Sequence, residues 1–494
     1  MFFSYSRRRR NIIISLFLTF AVFCCSFLVN SYTAYATLEE LTAEAEARKS
    51  LPIQTNEIDN WPVGPAISAE SAILMDANTG IILYAKNIHE KSYPASTTKL
   101  LTCLIAMERG NLDDMVDFSH EAVFSLPPGS SNMGMDEGES ISLEQCLYGI
   151  LVGSANEVAN AVGEYISGSI DDFVADMNER AVDLGCKDSH FTNTNGLPDN
   201  DHYTTAYDLA LISSAFFQNE LLCKIGNTAR YHLEPSATQP DDIYKVNKHK
   251  LITGEIEYEG IQGGKTGYTD LARQTLVTCA EKNGMKLICV VFKEESPAQF
   301  TDTVELFDYG FNNFKVMNIA ENENKYQIES SSFLETGNDI FGSSKPILSI
   351  DSDSYVIIPN MISFADLDSD IDYSISDENR IAQITYSYHD TYVGNAYLDL
   401  ASDNASTYDF ATNVETTNVS VEKTETEPPN ATTIFVNVKK VIIGIVLFAV
   451  VAILLFIIRA LIMNDRNARR RKNRIKRKQN RKDRLHSGLN DFDF

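Results

Sequence analysis

The stretch Gln274-Thr-Leu-Val-Thr-Cys-Ala-Glu-Lys-Asn-Gly-Met-Lys-Leu-Ile-Cys-Val-Val291 holds two apolar runs around Asn283-Gly284. Asn-Gly between β-rich runs is the strongest short-range hairpin signal, because both turn positions need positive φ. The spacing therefore predicts two antiparallel strands, followed by a helix from Phe300 to Tyr309. Far upstream, Ser71-Ala-Ile-Leu-Met-Asp-Ala-Asn-Thr-Gly-Ile-Ile-Leu-Tyr84 reads as a second hairpin turning at Asp76 to Gly80. Between the two the pattern is mostly helical: Ser96 to Arg109, Leu143 to Val152, Glu157 to Ile166, Ile170 to Leu184 and Ala206 to Phe217. Strands at both ends of a helical middle imply an α+β plan, an antiparallel sheet into which a helical subdomain is inserted.

Beyond this core the texture changes. Residues 316–400 carry short β-like runs, Tyr355 to Ile358, Ile381 to Tyr388 and Val393 to Leu400, and are read as a small all-β module. Residues 401–438 are rich in Thr and acidic residues and lack a periodic apolar stripe, as expected of an extended stalk. Residues 439–463 contain the uninterrupted apolar run Val441 to Ile458, and roughly 20 such residues span a bilayer. A basic segment, 464–494, follows. At the other end Arg7 to Arg10 precede an apolar run from Ile12 to Val29, and Ala34-Tyr35-Ala36 offers a signal peptidase a cut before Thr37. Residues 1–36 are thus read as a signal peptide, an uncleaved anchor being the alternative, and 37–65 as an N-terminal segment ahead of a domain spanning 66–315.

The chain of 494 residues carries 42 Lys and Arg against 68 Asp and Glu, a net charge of −26. That excess excludes nucleic acid as the main partner, since phosphate binding needs a basic face. The charge is unevenly spread: +4 on residues 1–36, −39 on 37–458 and +9 on 459–494. By the positive-inside rule the basic tail lies in the cytoplasm and residues 37–440 outside, the chain being a single-pass protein of the bacterial cell membrane. Six cysteines remain after the signal, in apolar contexts without C-x-x-C spacing, and no H-E-x-x-H occurs. Neither a metal nor a cofactor is expected.

Chemistry is carried by three short motifs. In Pro94-Ala-Ser96-Thr-Thr-Lys99, Ser96 and Lys99 lie three apart at a helix start, on one face. A serine hydroxyl needs a base, and Lys99 becomes one if burial, a second cation or the positive end of a helix dipole favours its neutral form. Ser154-Ala-Asn156 falls in a loop between two helices, and Lys265-Thr266-Gly267 just before the Gln274 strand. Each motif alone is common. A phosphate-binding loop is excluded at the last, because glycine is needed at position 259 and Glu259 stands there. No G-x-S-x-G elbow is present, although a triad assembled only in space would not show in sequence.

In the order S-x-x-K, S-x-N, K-T-G, the motifs match the penicillin-binding and serine β-lactamase signature. The segment 66–315 further resembles the D-alanyl-D-alanine carboxypeptidases, low-molecular-mass penicillin-binding proteins of peptidase family S11. The likeness runs through Ser71 to Ala77, Phe191-Thr-Asn-Thr-Asn-Gly-Leu197, His202 to Ala210, Gly264 to Asp270 and Asp308-Tyr-Gly-Phe311. It implies a transpeptidase-like fold in which Ser96 attacks the carbonyl between the last two D-alanines of a peptidoglycan stem peptide. Lys99 would take its proton and Ser154 would relay one to the leaving amine. Asn156 would position the substrate or water, and Lys265 and Thr266 would meet the terminal carboxylate. Gly267 and Thr269 would border the substrate, and the N–H groups of Ser96 and Tyr268 would form the oxyanion hole. β-Lactams would acylate the same serine. Two features depart from the family: Gln299-Phe300 stands where Arg-Phe is usual, and a spanning segment replaces an amphipathic anchor. A β-lactamase and a non-catalytic penicillin- or wall-binding protein are the competing readings.

Overall fold

The computed structural model describes residues 38–326, 348–374 and 380–400. The expected signal peptide, stalk, spanning segment and basic tail lie outside these residues. Among the described residues no helix is long and apolar enough to cross a membrane.

Strands β1 (Ser71–Asp76) and β2 (Ile82–Lys86) form the expected first hairpin, with Ala72 opposite Lys86 and Leu74 opposite Tyr84. The inserted middle holds helices at Lys99–Arg109, Leu143–Leu151, Asn156–Ser167, Ile170–Asp183 and Ala206–Phe217, close to the periodic segments. It also holds two short ribbons absent from the sequence reading, β3 (Met115–Asp117) with β4 (Ser140–Ser142), and β5 (Arg230–Leu233) with β6 (Ile243–Val246). Runs of three or four residues contain too few alternations to register as strands. The chain then returns through β7 (Ile261–Thr269), β8 (Arg273–Lys282) and β9 (Met285–Glu294). The β8–β9 turn places Lys282 opposite Met285, with Asn283 and Gly284 at φ 53° and 77°. Both turn residues thus take the positive φ that their identities predict.

The sheet order is β2-β1-β9-β8-β7, antiparallel throughout, with Ser71 opposite Phe292 and Asp76 opposite Leu287. First and last strands of the domain are therefore neighbours, which closes the insertion into a subdomain. Alternation along β9 sends Ile288, Val290 and Phe292 into the core shared with the inserted helices. Leu287, Cys289 and Val291 face the helix Ala298–Asn313, against Phe300, Leu306 and Phe307. A sheet covered on both faces needs apolar residues at every position, which is why β8 and β9 read as continuous runs.

The packed body begins ahead of residue 66. Trp61 is buried and donates from its indole to the Leu83 carbonyl at 3.0 Å, and Tyr309 Oη donates to the Pro62 carbonyl at 2.9 Å. Helix Ala298–Asn313 runs directly into β10 (Phe314–Asn318). This strand belongs to a second sheet with β11 (Leu348–Ile350), β12 (Tyr355–Pro359), β13 (Asp368–Asp372), β14 (Arg380–Tyr388) and β15 (Thr391–Leu400), in the order β10-β12-β15-β14-β13 with β11 on β15. The two sheets meet where Tyr355 Oη donates to Asp76 Oδ1 at 2.9 Å and the rings of Trp61 and Phe314 lie 5.2 Å apart.

Phe307 is fully buried on the helix-covered face. Phe307→Ala is expected to lower unfolding free energy by about 3–5 kcal/mol, measured by urea denaturation, because the void cannot collapse between a sheet and a helix.

Candidate active site

Ser96 stands in a single 3-10 turn, Ala95–Thr98, that continues into the helix Lys99–Arg109. The turn is held from several sides. Ala95 is buried with φ +50°, and Thr275 Oγ1 from β8 donates to the Pro94 carbonyl at 2.9 Å. Gly196 packs on it so closely that a Cβ there would lie 1.8 Å from the Ala95 carbonyl oxygen. No side chain fits between these two backbones, so glycine is required at 196.

One helical turn on, Lys99 is fully buried. Its Nζ lies 2.7 Å from Asn156 Oδ1, 2.6 Å from the Asn195 carbonyl and 3.1 Å from Ser96 Oγ. Two of these partners accept only, so in the neutral amine they take both N–H groups and leave the lone pair for the Ser96 hydroxyl. Burial and then the charge of Lys265 hold the Lys99 pKa well below the ordinary lysine range. The Asn195 carbonyl is fixed in turn, since Asn195 Nδ2 and Thr194 Oγ1 both donate to Asn160 Oδ1 and Thr102 Oγ1 donates to the Thr194 carbonyl.

Ser154 lies in the loop between helices, buried, at φ +58°. That left-handed conformation is unusual for a residue with a side chain. Lys265 Nζ on β7 donates to Ser154 Oγ at 3.1 Å and to the Thr266 carbonyl at 3.0 Å. Burial, then the charge of Lys248, pushes the Lys265 pKa down to about 7. β7 is the sheet edge beside the nucleophile. A Cβ at Gly267 would lie 2.2 Å from Thr275 Oγ1 and 3.0 Å from both Ser96 N and the Pro94 carbonyl oxygen, so only glycine lets the strand approach.

Hydrogen bonds thus join Ser96, Lys99 and Asn156 in one set and Ser154 with Lys265 in another, and the charge of Lys265 is felt at Lys99. Ser96, Ser154 and Asn156 line a cleft of about 400 Å³ together with Thr266, Gly267, Tyr268 and Thr269. The Tyr268 ring itself is largely exposed, so the strand meets the cleft mainly through its backbone. Neither buried histidine nearby reaches Ser96. His202 accepts from Thr192 N at Nδ1, so its Nε2–H donates to Thr98 Oγ1, and His249 Nε2 bonds Thr278 Oγ1. Burial lowers the two to about 4 and about 3, leaving neutral rings. Among the described residues no cluster of His, Cys, Asp or Glu could hold a metal ion.

This arrangement has counterparts. Residues 58–296 match the family model described as D-alanyl-D-alanine carboxypeptidase. D-alanyl-D-alanine carboxypeptidase DacB2 of Mycobacterium tuberculosis is 33% identical over 279 residues, covering 54% of this chain and 87% of the relative. The chain belongs to this family. DacF of Bacillus subtilis is 34% identical over 254 residues, 51% of this chain and 64% of its own length. DacA of Haemophilus influenzae is 31% identical, with 65% of its length matched, so the chain spans just under two thirds of these two relatives. In three dimensions, penicillin-binding protein 5 of Haemophilus influenzae superposes with a TM-score of 0.55 at 26% identity, covering 69% of this chain and 98% of that one. The α+β fold is that of the penicillin-binding proteins.

Several cleft residues of this family member escaped the sequence reading. Ser130 and Ser131 line the wall opposite β7, on a rim pinned where Glu157 Oε1 accepts from Gly134 N at 3.0 Å and Asn156 N donates to the Ser131 carbonyl. Lys248 and Lys250 also line the cleft. Nothing local in the sequence ties Gly129-Ser130-Ser131 to Ser96. Gln299, a neutral amide, is buried in the cleft wall and donates to Gln274 Oε1 at 3.2 Å.

Because Lys99 must be neutral to accept a proton, acylation of Ser96 is expected to fall as pH drops through the depressed Lys99 pKa. Lys99→Arg is expected to be inert at every pH in this range, because a guanidinium stays charged throughout. Stopped-flow labelling with a fluorescent β-lactam between pH 5 and 9 measures both.

Proposed function

We propose that the chain is a serine-type D-Ala-D-Ala carboxypeptidase acting on peptidoglycan stem peptides. The observation that carries this reading is the three-partner seat of Lys99, which directs its lone pair at Ser96 Oγ. Ser96 Oγ attacks the carbonyl of the penultimate D-alanine while its proton passes to Lys99. The oxyanion is received by the N–H groups of Ser96 and Tyr268, each such donor supplying about 3–4 kcal/mol in comparable hydrolases. As the C–N bond breaks, Lys99 returns that proton, relayed through the hydroxyl of Ser154, which is joined to Lys265, to the departing D-alanine amine, and is neutral again. Water, placed by Asn156 and deprotonated by Lys99, then attacks the ester and regenerates Ser96. A β-lactam presents an acyl carbon to the same hydroxyl, activated by the strain of its ring, and forms a slowly hydrolysed adduct.

Purified full-length chain is expected to release D-alanine from an acyl peptide ending in D-Ala-D-Ala, and Ser96→Ala to lower the rate on the order of 10⁴-fold or more. Penicillin labelling of the wild type without D-alanine release would instead indicate a binding protein, and rapid penicillin turnover a β-lactamase.

We further propose that residues 1–36 direct export, 439–463 span the cell membrane and 464–494 lie in the cytoplasm. The support is the +4, −39, +9 charge distribution around the apolar runs. Deleting 439–494 is expected to move the protein from the alkaline-washed membrane pellet to the soluble fraction, with D-alanine release retained.

A further inference from the structure

A substrate that ends in a free carboxylate needs a cation at that end of the cleft, because a charge-assisted hydrogen bond must replace the lost hydration. The motif lysines are poorly placed to be that cation. Lys99 Nζ is saturated by three partners, and Lys265 Nζ is committed to Ser154 Oγ and the Thr266 carbonyl. Lys265 is also buried beside the charge of Lys248, which disfavours its ammonium form. Arg273 is held in a two-pronged pair with Glu295 at 2.8 and 2.6 Å. Lys248 Nζ reaches across to Ser131 Oγ at 3.2 Å, on the opposite rim.

Lys250 differs from all of these. His249 has extended backbone and is fully buried, its ring bonded to Thr278. Lys248 and Lys250, on either side of this buried residue, both line the cleft, Lys250 as the first residue of the short helix Lys250–Thr253. The Lys250 ammonium lies 6.0 Å from the centre of the Phe300 ring, next to Gln299, the neutral residue of that wall. Its ion-pair contact is Glu255 at 3.9 Å, between side chains 38% and 63% exposed. A contact this long and this exposed is weak and readily exchanged.

We propose that Lys250 is the specificity-determining cation of the cleft, receiving the terminal carboxylate of the substrate by exchanging its loose contact with Glu255. Lys265 is then a proton-handling partner of Ser154, and Gln299 leaves the neighbouring wall neutral. The assignment rests on the carboxypeptidase reading above and gives it a source of selectivity for a free C-terminus. The buried Phe300 ring near the ammonium lowers the local dielectric and strengthens the pair.

The test uses full-length chain in detergent and two substrates, an acyl-D-Ala-D-Ala acid and its C-terminal amide. Lys250→Ala is expected to raise KM for the acid about tenfold or more with kcat nearly unchanged, to leave the amide unaffected, and to be rescued by Lys250→Arg. A merely structural role would depress both substrates together. An unchanged preference for acid over amide in Lys250→Ala, or an equal loss on both, overturns the assignment. If the wild type binds penicillin but releases no D-alanine, the carboxypeptidase reading fails by itself. Lys250 is then judged by acylation with penicillin against its carboxyl methyl ester: loss of the acid's advantage in Lys250→Ala supports the assignment, and its persistence overturns it.

Discussion

A buried amine with two of its three hydrogen-bonding positions taken by obligate acceptors is the constraint on which the rest of the structure depends. The Asn156 amide oxygen and the Asn195 carbonyl fix the Lys99 nitrogen so that its third position meets Ser96. Each acceptor comes from a different part of the chain, one from the start of the helix Asn156–Ser167 and one from the loop at 193–197. The fold must therefore bring three segments together to within hydrogen-bonding distance before any chemistry exists. Much of the polar interior, including Asn160, Thr102 and Thr194, serves to hold those segments in place.

The doubly covered sheet supplies the rigidity. Its edge strand β7 lies against the Ser96 turn, while the opposite edge, β2, is remote from it in the strand order. Glycines at 196 and 267 mark the two places where backbone must touch backbone for the cleft to close around the nucleophile. A methyl group at either position would separate elements whose spacing sets the reaction geometry.

The electrostatics of the site oppose folding. Both Lys99 and Lys265 have pKa values depressed by burial, and each is near another cation. A lowered lysine pKa means that the unfolded chain binds more protons between the folded and ordinary values. Lys265 thus costs stability most fully below about pH 7, and the cost fades as pH rises toward 10.5. The two-sided core is what permits such a cost, the usual exchange between stability and activity.

The hairpin at Asn283-Gly284, the helical middle and the S-x-x-K spacing were all legible in sequence, because each depends on local periodicity or on residues within one turn of helix. The linkage of Ser96 to Lys99 is of this kind. Its confinement is not: Asn195 acts through a backbone carbonyl, which every residue has, and Gly196 through a contact with Ala95 some hundred positions away. The ribbons β3–β4 and β5–β6 were too short to leave a pattern, and Lys250 reads in sequence as one surface lysine among many. Composition and spacing determined that this chain builds a sheet around helices and carries a serine and a lysine able to react. Only the tertiary structure decided which lysines are buried and which glycines are indispensable, because desolvation and close approach are set by atoms that neighbour one another in space rather than along the chain.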